Sequence, residues 1–401
     1  MPDRPPDPTV CIVGAGPAGL LLALLLGRRG HRVTVLERSP RIDLARQAGA
    51  PVLQPVTLRI LERLGLLERV RAGAGEIHGG DVYVRGRREA AYEYADLPGV
   101  SVPFALTVPV STLRGALLEA LGEVPGAEVR TGVSVEGLTG GPGRYRELVV
   151  RGAEGTEVLR PEFVVGCDGK FSAVRELAEI PTRVLAYEKG YLDFVVPAPP
   201  GWPPRITMHF GDFYLLSMPY PGDRLIVVWI SSEKRVEAAM GAPFARLAAE
   251  LSRTAAPLAP LFPPQVAGLA WEDVPHRHVR HHMVRPERWL DGNVLLIGDS
   301  AHAMHAFGGQ GLNTSLQDAV WAADGIEGAL RERSTRRLRE HLRTRVPFVE
   351  SFQLSQRTAL APGRQGGAEP HGVPLPDFMP MVMGQPELRS LWEGTPQETA
   401  R

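Results

Sequence analysis

A chain of 401 residues is longer than one ordinary core and fits two closely packed domains, or one large α/β domain with an inserted sheet. Its 45 basic and 45 acidic residues cancel, which removes nucleic acid and anionic membranes as electrostatic partners and leaves a small neutral or weakly charged ligand. Cys11 and Cys167 lie in apolar runs and read as core residues rather than a disulfide, and no signal-like or membrane-length apolar segment occurs, so a soluble cytoplasmic protein is expected.

In chain order, residues 9–13 predict a strand, 18–29 a helix and 32–36 a second strand, with a glycine-rich turn after the first. Residues 55–67 predict an amphipathic helix with Leu58, Leu61, Leu64 and Leu67 on one face, and 113–121 another. Two apolar strands follow, 163–167 ending at Asp168-Gly169 and 294–297 ending at Gly298-Asp299. Between them, 205–210, 213–218 and 225–231 are short β segments separated by turns, as in an antiparallel sheet. A long helix is expected over 311–330 and another over 347–360, then a Pro/Gly-rich loop over 361–376 and a short helix near 388–392. The fold class is therefore α/β. A Rossmann-like dinucleotide-binding domain takes residues 1–180 and 285–345, and an inserted antiparallel substrate sheet takes 181–284 with a contribution from 75–110. A C-terminal helical segment and loop fills 346–401.

Gly14, Gly16 and Gly19 form G-x-G-x-x-G between strand and helix. The first makes the turn, the second lets backbone approach a pyrophosphate, and the third lets helix pack on strand, with the phosphate meeting the helix N-terminus. Glu37 ends the second strand, where a carboxylate can accept hydrogen bonds from an adenosine ribose, with Arg38 beside it. This motif alone does not separate a nicotinamide from a flavin dinucleotide.

Two distant motifs do. "FVVGCDGKFSAVR" (163–175) and "GDSAHAMHAFGGQGLNTSLQDA" (298–319), taken in order with the N-terminal turn, resemble the single-component FAD-dependent aromatic monooxygenases similar to p-hydroxybenzoate hydroxylase, over residues 10–330. The glycines at 308, 309 and 311 lead into a helix whose free N–H groups and positive end suit the flavin edge that becomes anionic on reduction. The resemblance implies that Gly298 and Asp299 hold the ribityl chain of FAD and that the amides of Gly311, Leu312 and Asn313 lie near the isoalloxazine. It also implies that Asp168 and Gly169 serve FAD and nicotinamide access, with Arg46 near the pyrophosphate. Asp168 can equally be a strand-end turn residue, with Ser172 capping a helix through Arg175.

The chain departs from the family at several places. The proline usual four residues after the motif histidine is Ala306, and His305 brings an imidazole there. His305 is the candidate catalytic residue, a general base for a phenolic proton, the other reading being a histidine bonded to its own loop. Val110 stands where a flavin-contacting Gln or Arg is usual. Ser217-Met218-Pro219 lacks the arginine that holds a benzoate carboxylate, and the place of Arg224 is open. In "HRHVRHHM", strand alternation would put His276, His278, Arg280 and His282 on one face; the interleaved arginines argue against a metal, and no metal is expected.

The resemblance implies hydroxylation or epoxidation of an aromatic or polycyclic small molecule, with FAD as cofactor, NAD(P)H as reductant and O₂ as co-substrate, in a monomer or homodimer. The alternatives are a halogenase, whose Trp-x-Trp-x-x-Pro stretch is missing, a reductase of the same fold, or a non-catalytic FAD-binding protein.

Overall fold

The structure, a computed structural model, describes residues 7–42, 49–211, 213–254, 256–360, 379–380 and 382–393. Its first sheet has six strands in the order Leu290–Asp291, Val294–Leu296, Phe163–Gly166, Val10–Val13, Val33–Glu37 and Ala127–Thr131. All pairings are parallel except the first. The central strands are buried on both faces, which explains their unbroken Val, Ile and Leu. Helix Pro17–Arg28 packs against helices Val110–Gly122 and Gln310–Glu332. The strands that carry the three motifs are immediate neighbours, so Gly14, Asp168 and Asp299 emerge at one edge, the carboxyl ends where open α/β sheets bind ligands.

A second sheet runs His276–Val279, Lys189–Pro197, Arg224–Ser232, Tyr214–Tyr220, Arg205–Phe210, Gly79–Val84, Arg87–Glu93. The three β segments expected between 205 and 231 pair antiparallel. Alternation divides this sheet into two faces. Leu192, Phe194, Leu215, Val227 and Trp229 pack with residues of helices Glu233–Met240 and Phe244–Thr254. Tyr191, Tyr214, Met218, Ile226 and Val228 form the opposite face, against Phe307 and Met383.

Three expectations change. The 55–67 helix is two, Pro55–Arg63 and Leu67–Arg71, broken where Gly65 takes φ +72°. The histidine-rich run is not one strand: His276–Val279 belongs to the large sheet, and His282–Pro286 pairs instead with Thr182–Ala186, so the chain changes sheet at 280–281 and the expected common face is lost. Helix Arg336–Ala359 runs through the boundary expected at 345/346. Pro347 inside it, which forfeits one backbone hydrogen bond, does not end it, because buried Arg345 and Val349 anchor the turns on either side. The loop expected over 361–376 lies outside the described residues. Near the end, a 3₁₀ turn at Pro386–Leu388 precedes helix Arg389–Glu393.

Candidate functional site

The glycine turn is built as the spacing demands. Gly14 has φ +106°, and a Cβ there would lie 2.4 Å from the Cys167 carbonyl oxygen; a Cβ on Gly19 would lie 2.2 Å from the Gly14 oxygen. At Gly16 a Cβ would meet nothing within 4 Å, so this backbone faces open space at the start of helix Pro17–Arg28, where a pyrophosphate fits.

Glu37 is fixed at the rim. Its Oε2 accepts from the Ala15 N–H (3.1 Å) and its Oε1 from the Ser39 N–H (3.0 Å). Arg114 stands 3.5 Å from the same carboxylate, buried, with its Nε unpartnered among the described residues. Sequence reasoning missed Arg114, although it is the one charge among the buried positions Leu113, Ala116, Leu117, Ala120 and Leu121 of its helix. Arg38 is exposed beside Glu37, and Arg46 lies outside the described residues.

The second motif is a self-capping turn. Asp168 accepts from the Ser172 hydroxyl (2.5 Å) and the Val174 N–H (3.1 Å), while Ser172 Oγ accepts from the Arg175 N–H (3.0 Å) and caps helix Ala173–Leu177. Burial pushes the Asp168 carboxyl up, against these bonds. Gly169 follows at φ +87°. Arg175 joins this motif to the third, donating to the carbonyls of Ser300 (2.6 Å) and Lys170 (2.9 Å).

Asp299 opens the third motif after Gly298, which has φ +63° and leaves only 3.2 Å between a built Cβ and Ser315 Oγ. Asp299 is solvent-accessible and makes no side-chain hydrogen bond among the described residues. Burial raises its pKa, opposed by His302 and Lys170. An accessible, unengaged acceptor beside an open glycine turn fits the hydroxyl-rich chain of FAD.

Behind Asp299 lies a buried network. Asp318 accepts from the Gly298 N–H (2.9 Å), Trp321 Nε1 (3.0 Å) and Arg345 Nε (2.8 Å), and bonds His302 Nε2. Burial alone would raise the Asp318 pKa, but His302 and Arg345 hold it well below the usual carboxylate range.

Gly308 and Gly309, both at positive φ, lead into helix Gln310–Glu332, whose first-turn amides have no carbonyl four residues back within the helix. A Cβ on Gly311 would meet only Met304 Cγ, at 3.8 Å, leaving room beside these amides. The Asn313 side chain is spent on structure: it accepts from Gln54 N (2.9 Å) and Thr57 Oγ1 (2.7 Å) and donates to the carbonyls of Val52 and Gly309 (2.8 Å each). Only its backbone, with those of Gly311 and Leu312, is left to face a ligand.

His305 is fully buried, its ring 4.5 Å from His281 and 5.1 Å from Tyr187. Its Nδ1 accepts from the Phe307 N–H (2.9 Å), so in the neutral ring the proton sits on Nε2 and no lone pair remains to receive another. Burial pushes its pKa down to about 3. The general base expected from the sequence is not what this geometry offers. No group of three His, Cys, Asp or Glu able to hold a metal occurs among the described residues.

These features define an FAD-binding fold, and comparison with known proteins supplies its class. The chain belongs to the FAD binding domain family, whose profile matches residues 7–353, and within it to the single-component aromatic monooxygenases resembling p-hydroxybenzoate hydroxylase. It is 32% identical over 368 residues to protoasukamycin 4-monooxygenase of Streptomyces nodosus subsp. asukaensis, covering 88% of each chain. It is 34% identical over 374 residues to a 6-methylpretetramide 4-monooxygenase of Streptomyces rimosus, covering 90% of this chain and 86% of that one. The crystal structure of PqsL from Pseudomonas aeruginosa with 2-aminobenzoylacetate superposes with a TM-score of 0.77 at 25% identity, covering 88% of this chain and 97% of that one. The protein is an FAD-dependent monooxygenase acting on aromatic or polycyclic compounds.

Proposed function

We propose that this enzyme oxygenates a neutral, fused-ring phenolic compound, with NAD(P)H as reductant, in the cytoplasm. The observation that carries the substrate class is the sheet face turned toward Phe307: Tyr214, Leu216, Met218, Ile226 and Val228 present hydrocarbon and ring edges. On that face Arg277 is engaged by Asp193, with its Nε at 3.0 Å and an Nη at 2.5 Å from one carboxylate oxygen. Ser217 faces the other side and bonds Thr207 Oγ1 at 2.5 Å, and Arg224 turns outward over the Tyr220 ring. A substrate carboxylate would have to displace Asp193 to reach the Arg277 guanidinium, and burying it unpaired is costly. The name of one Streptomyces relative, a 6-methylpretetramide 4-monooxygenase, supports a polycyclic acceptor.

FAD, when bound and reduced, supplies the oxygen chemistry. The chain's own part is to hold it, through Gly16, Glu37 and Asp299 and the amides of Gly311, Leu312 and Asn313, and to keep the wall beside it dry. No helix among the described residues is long and apolar enough to cross a membrane. The test is a panel of tetracyclic and naphthoquinoid phenols against p-hydroxybenzoate, read as stimulated NADH or NADPH oxidation and gain of one oxygen by mass. Oxygenation of the fused-ring phenols alone is expected. Preferential turnover of the benzoate would overturn the substrate class.

A further inference from the structure

Helix Arg336–Ala359 buries Leu338, Arg345, Val349, Gln353 and Gln356, whose spacings of seven, four, four and three keep them on one face. Apolar side chains would be enough to pack such a face. Here three of the five are polar, and the two glutamines reach the same loop. Gln353 Nε2 donates to the carbonyls of Val284 and Ala303, at 3.0 Å each. Gln356 Oε1 accepts from the His305 N–H (3.1 Å), and its Nε2 donates to the carbonyls of His305 (2.9 Å) and Phe307 (2.6 Å).

That loop, 303–307, joins the Asp299 motif to the glycines that open helix Gln310–Glu332, and it has no regular secondary structure of its own. Its Phe307 ring packs 5.1 Å from Tyr214 of the substrate sheet, and the Tyr214 hydroxyl donates to the Ala359 carbonyl at 3.0 Å. The last turns of one helix therefore grip the loop through Gln356 and the facing sheet through Ala359. A rigid rod of fixed rise per residue sets the separation of the two walls.

We propose that Gln356 is a positioning residue for oxygen transfer, its amide fixing the 303–307 loop and thereby the gap between the flavin-binding side and the substrate sheet. The proposal rests on the monooxygenase reading of this cleft. Ala306 gives it a structural counterpart. The Ala306 N–H makes no hydrogen bond among the described residues, so a proline there would forfeit none while restricting φ. The restraint that a ring at 306 would supply from within the loop is supplied by an amide about 50 residues away.

The decisive variant is Gln356→Met, of similar length and without hydrogen bonds. It should fold and retain FAD, while amide exchange over 303–309 rises about ten-fold and the visible circular dichroism of bound FAD changes. The peroxide released per reductant oxidised should rise several-fold at nearly unchanged reductant turnover. Adding Ala306→Pro to Gln356→Met should restore slow exchange and at least half of the lost coupling. Gln356→Glu, which keeps the acceptor for the His305 N–H, should fall between wild type and Gln356→Met and takes its place if that variant does not fold. Folded, FAD-loaded Gln356→Met with wild-type exchange, dichroism and coupling would overturn the proposal. So would loss of folding in both single variants, which would make Gln356 a packing residue. Failure of the wild type to oxygenate any compound would count against the monooxygenase reading, and the exchange and dichroism results would still decide the role of Gln356.

Discussion

The turn after Val13 and the loop after His302 border the same cleft, but they hold their shapes by different means. In the first, the constraints come from the turn itself and from the ends of the two strands that flank its own. Gly14, Gly19 and the Cys167 carbonyl leave no room for a Cβ, and the turn has one solution. In the second, short-range bonds run from the Ala303, Phe307 and Gly309 N–H groups to Asp299, His305 and Ala306, and the central carbonyls of Ala303, His305 and Phe307 are held from afar by Gln353 and Gln356. A motif of the first kind carries its geometry with it, whereas one of the second kind depends on a distant helix. Substitutions in the first should therefore act on cofactor retention, and those in the second on what happens after the cofactor is bound.

The sharpest test of the local side is the glycine turn. Gly14→Val puts a side chain against the Cys167 carbonyl at positive φ, and complete loss of FAD from the purified protein is expected. Gly16→Ala has space for its methyl in the protein, so it should fold normally and lose FAD affinity only, read by titration of the apoprotein. Equal FAD affinity in that variant would break the assignment of Gly16 to the pyrophosphate. A smaller effect is expected at Asp299→Ala, where loss of one charge-assisted bond to a ribityl hydroxyl is worth about 1.5–3 kcal/mol, or about a ten- to hundred-fold rise in the FAD Kd.

The smallest effect is expected at His305. Asn can present its Oδ1 to the Phe307 N–H as Nδ1 does, so His305→Asn should keep turnover within about two-fold and leave the pH profile of activity unshifted. Stability is where the imidazole titration shows. The ordinary value of 6.5 falls to about 3 in the folded chain, so between those values the unfolded chain binds a proton that the folded one refuses. Stability then falls as pH drops below 6.5, by at most about 1.4 kcal/mol per pH unit from this group. Thermal melts between pH 7 and 5 should be flatter for His305→Asn. An equal slope in both proteins would break the assignment of a buried, neutral imidazole.

Much of the cleft was legible because its motifs are contiguous strand-turn-helix units. Val10–Val13, Phe163–Gly166 and Val294–Leu296 could each be read from apolar runs ending in Gly or Asp. Their adjacency in the sheet, which brings Gly14, Asp168 and Asp299 together, is a fact of topology that no run of residues displays. Arg114, Arg345, Gln353 and Gln356 stayed hidden for one shared reason: a search for amphipathic helices scores apolar periodicity, and polar residues in a buried stripe look like surface. Starting the last long helix at Pro347 also cut Arg345 from its stripe. The histidine run misled because alternation presumes one strand, and this chain leaves its sheet after Val279.

The single face of helix Arg336–Ala359 has a consequence for how this protein can change over evolutionary time. Arg345 addresses the buried Asp318 at one end, and Gln353 and Gln356 address the loop at the other, all from one rod. A substitution disturbs one of these contacts. An insertion or deletion of a single residue between Arg345 and Gln353 would turn everything beyond it by about 100° and shift it by about 1.5 Å. Both glutamines would then leave the loop at once. A substitution in this segment therefore costs one contact at a time, whereas a change in its length costs the hold on both walls of the cleft together.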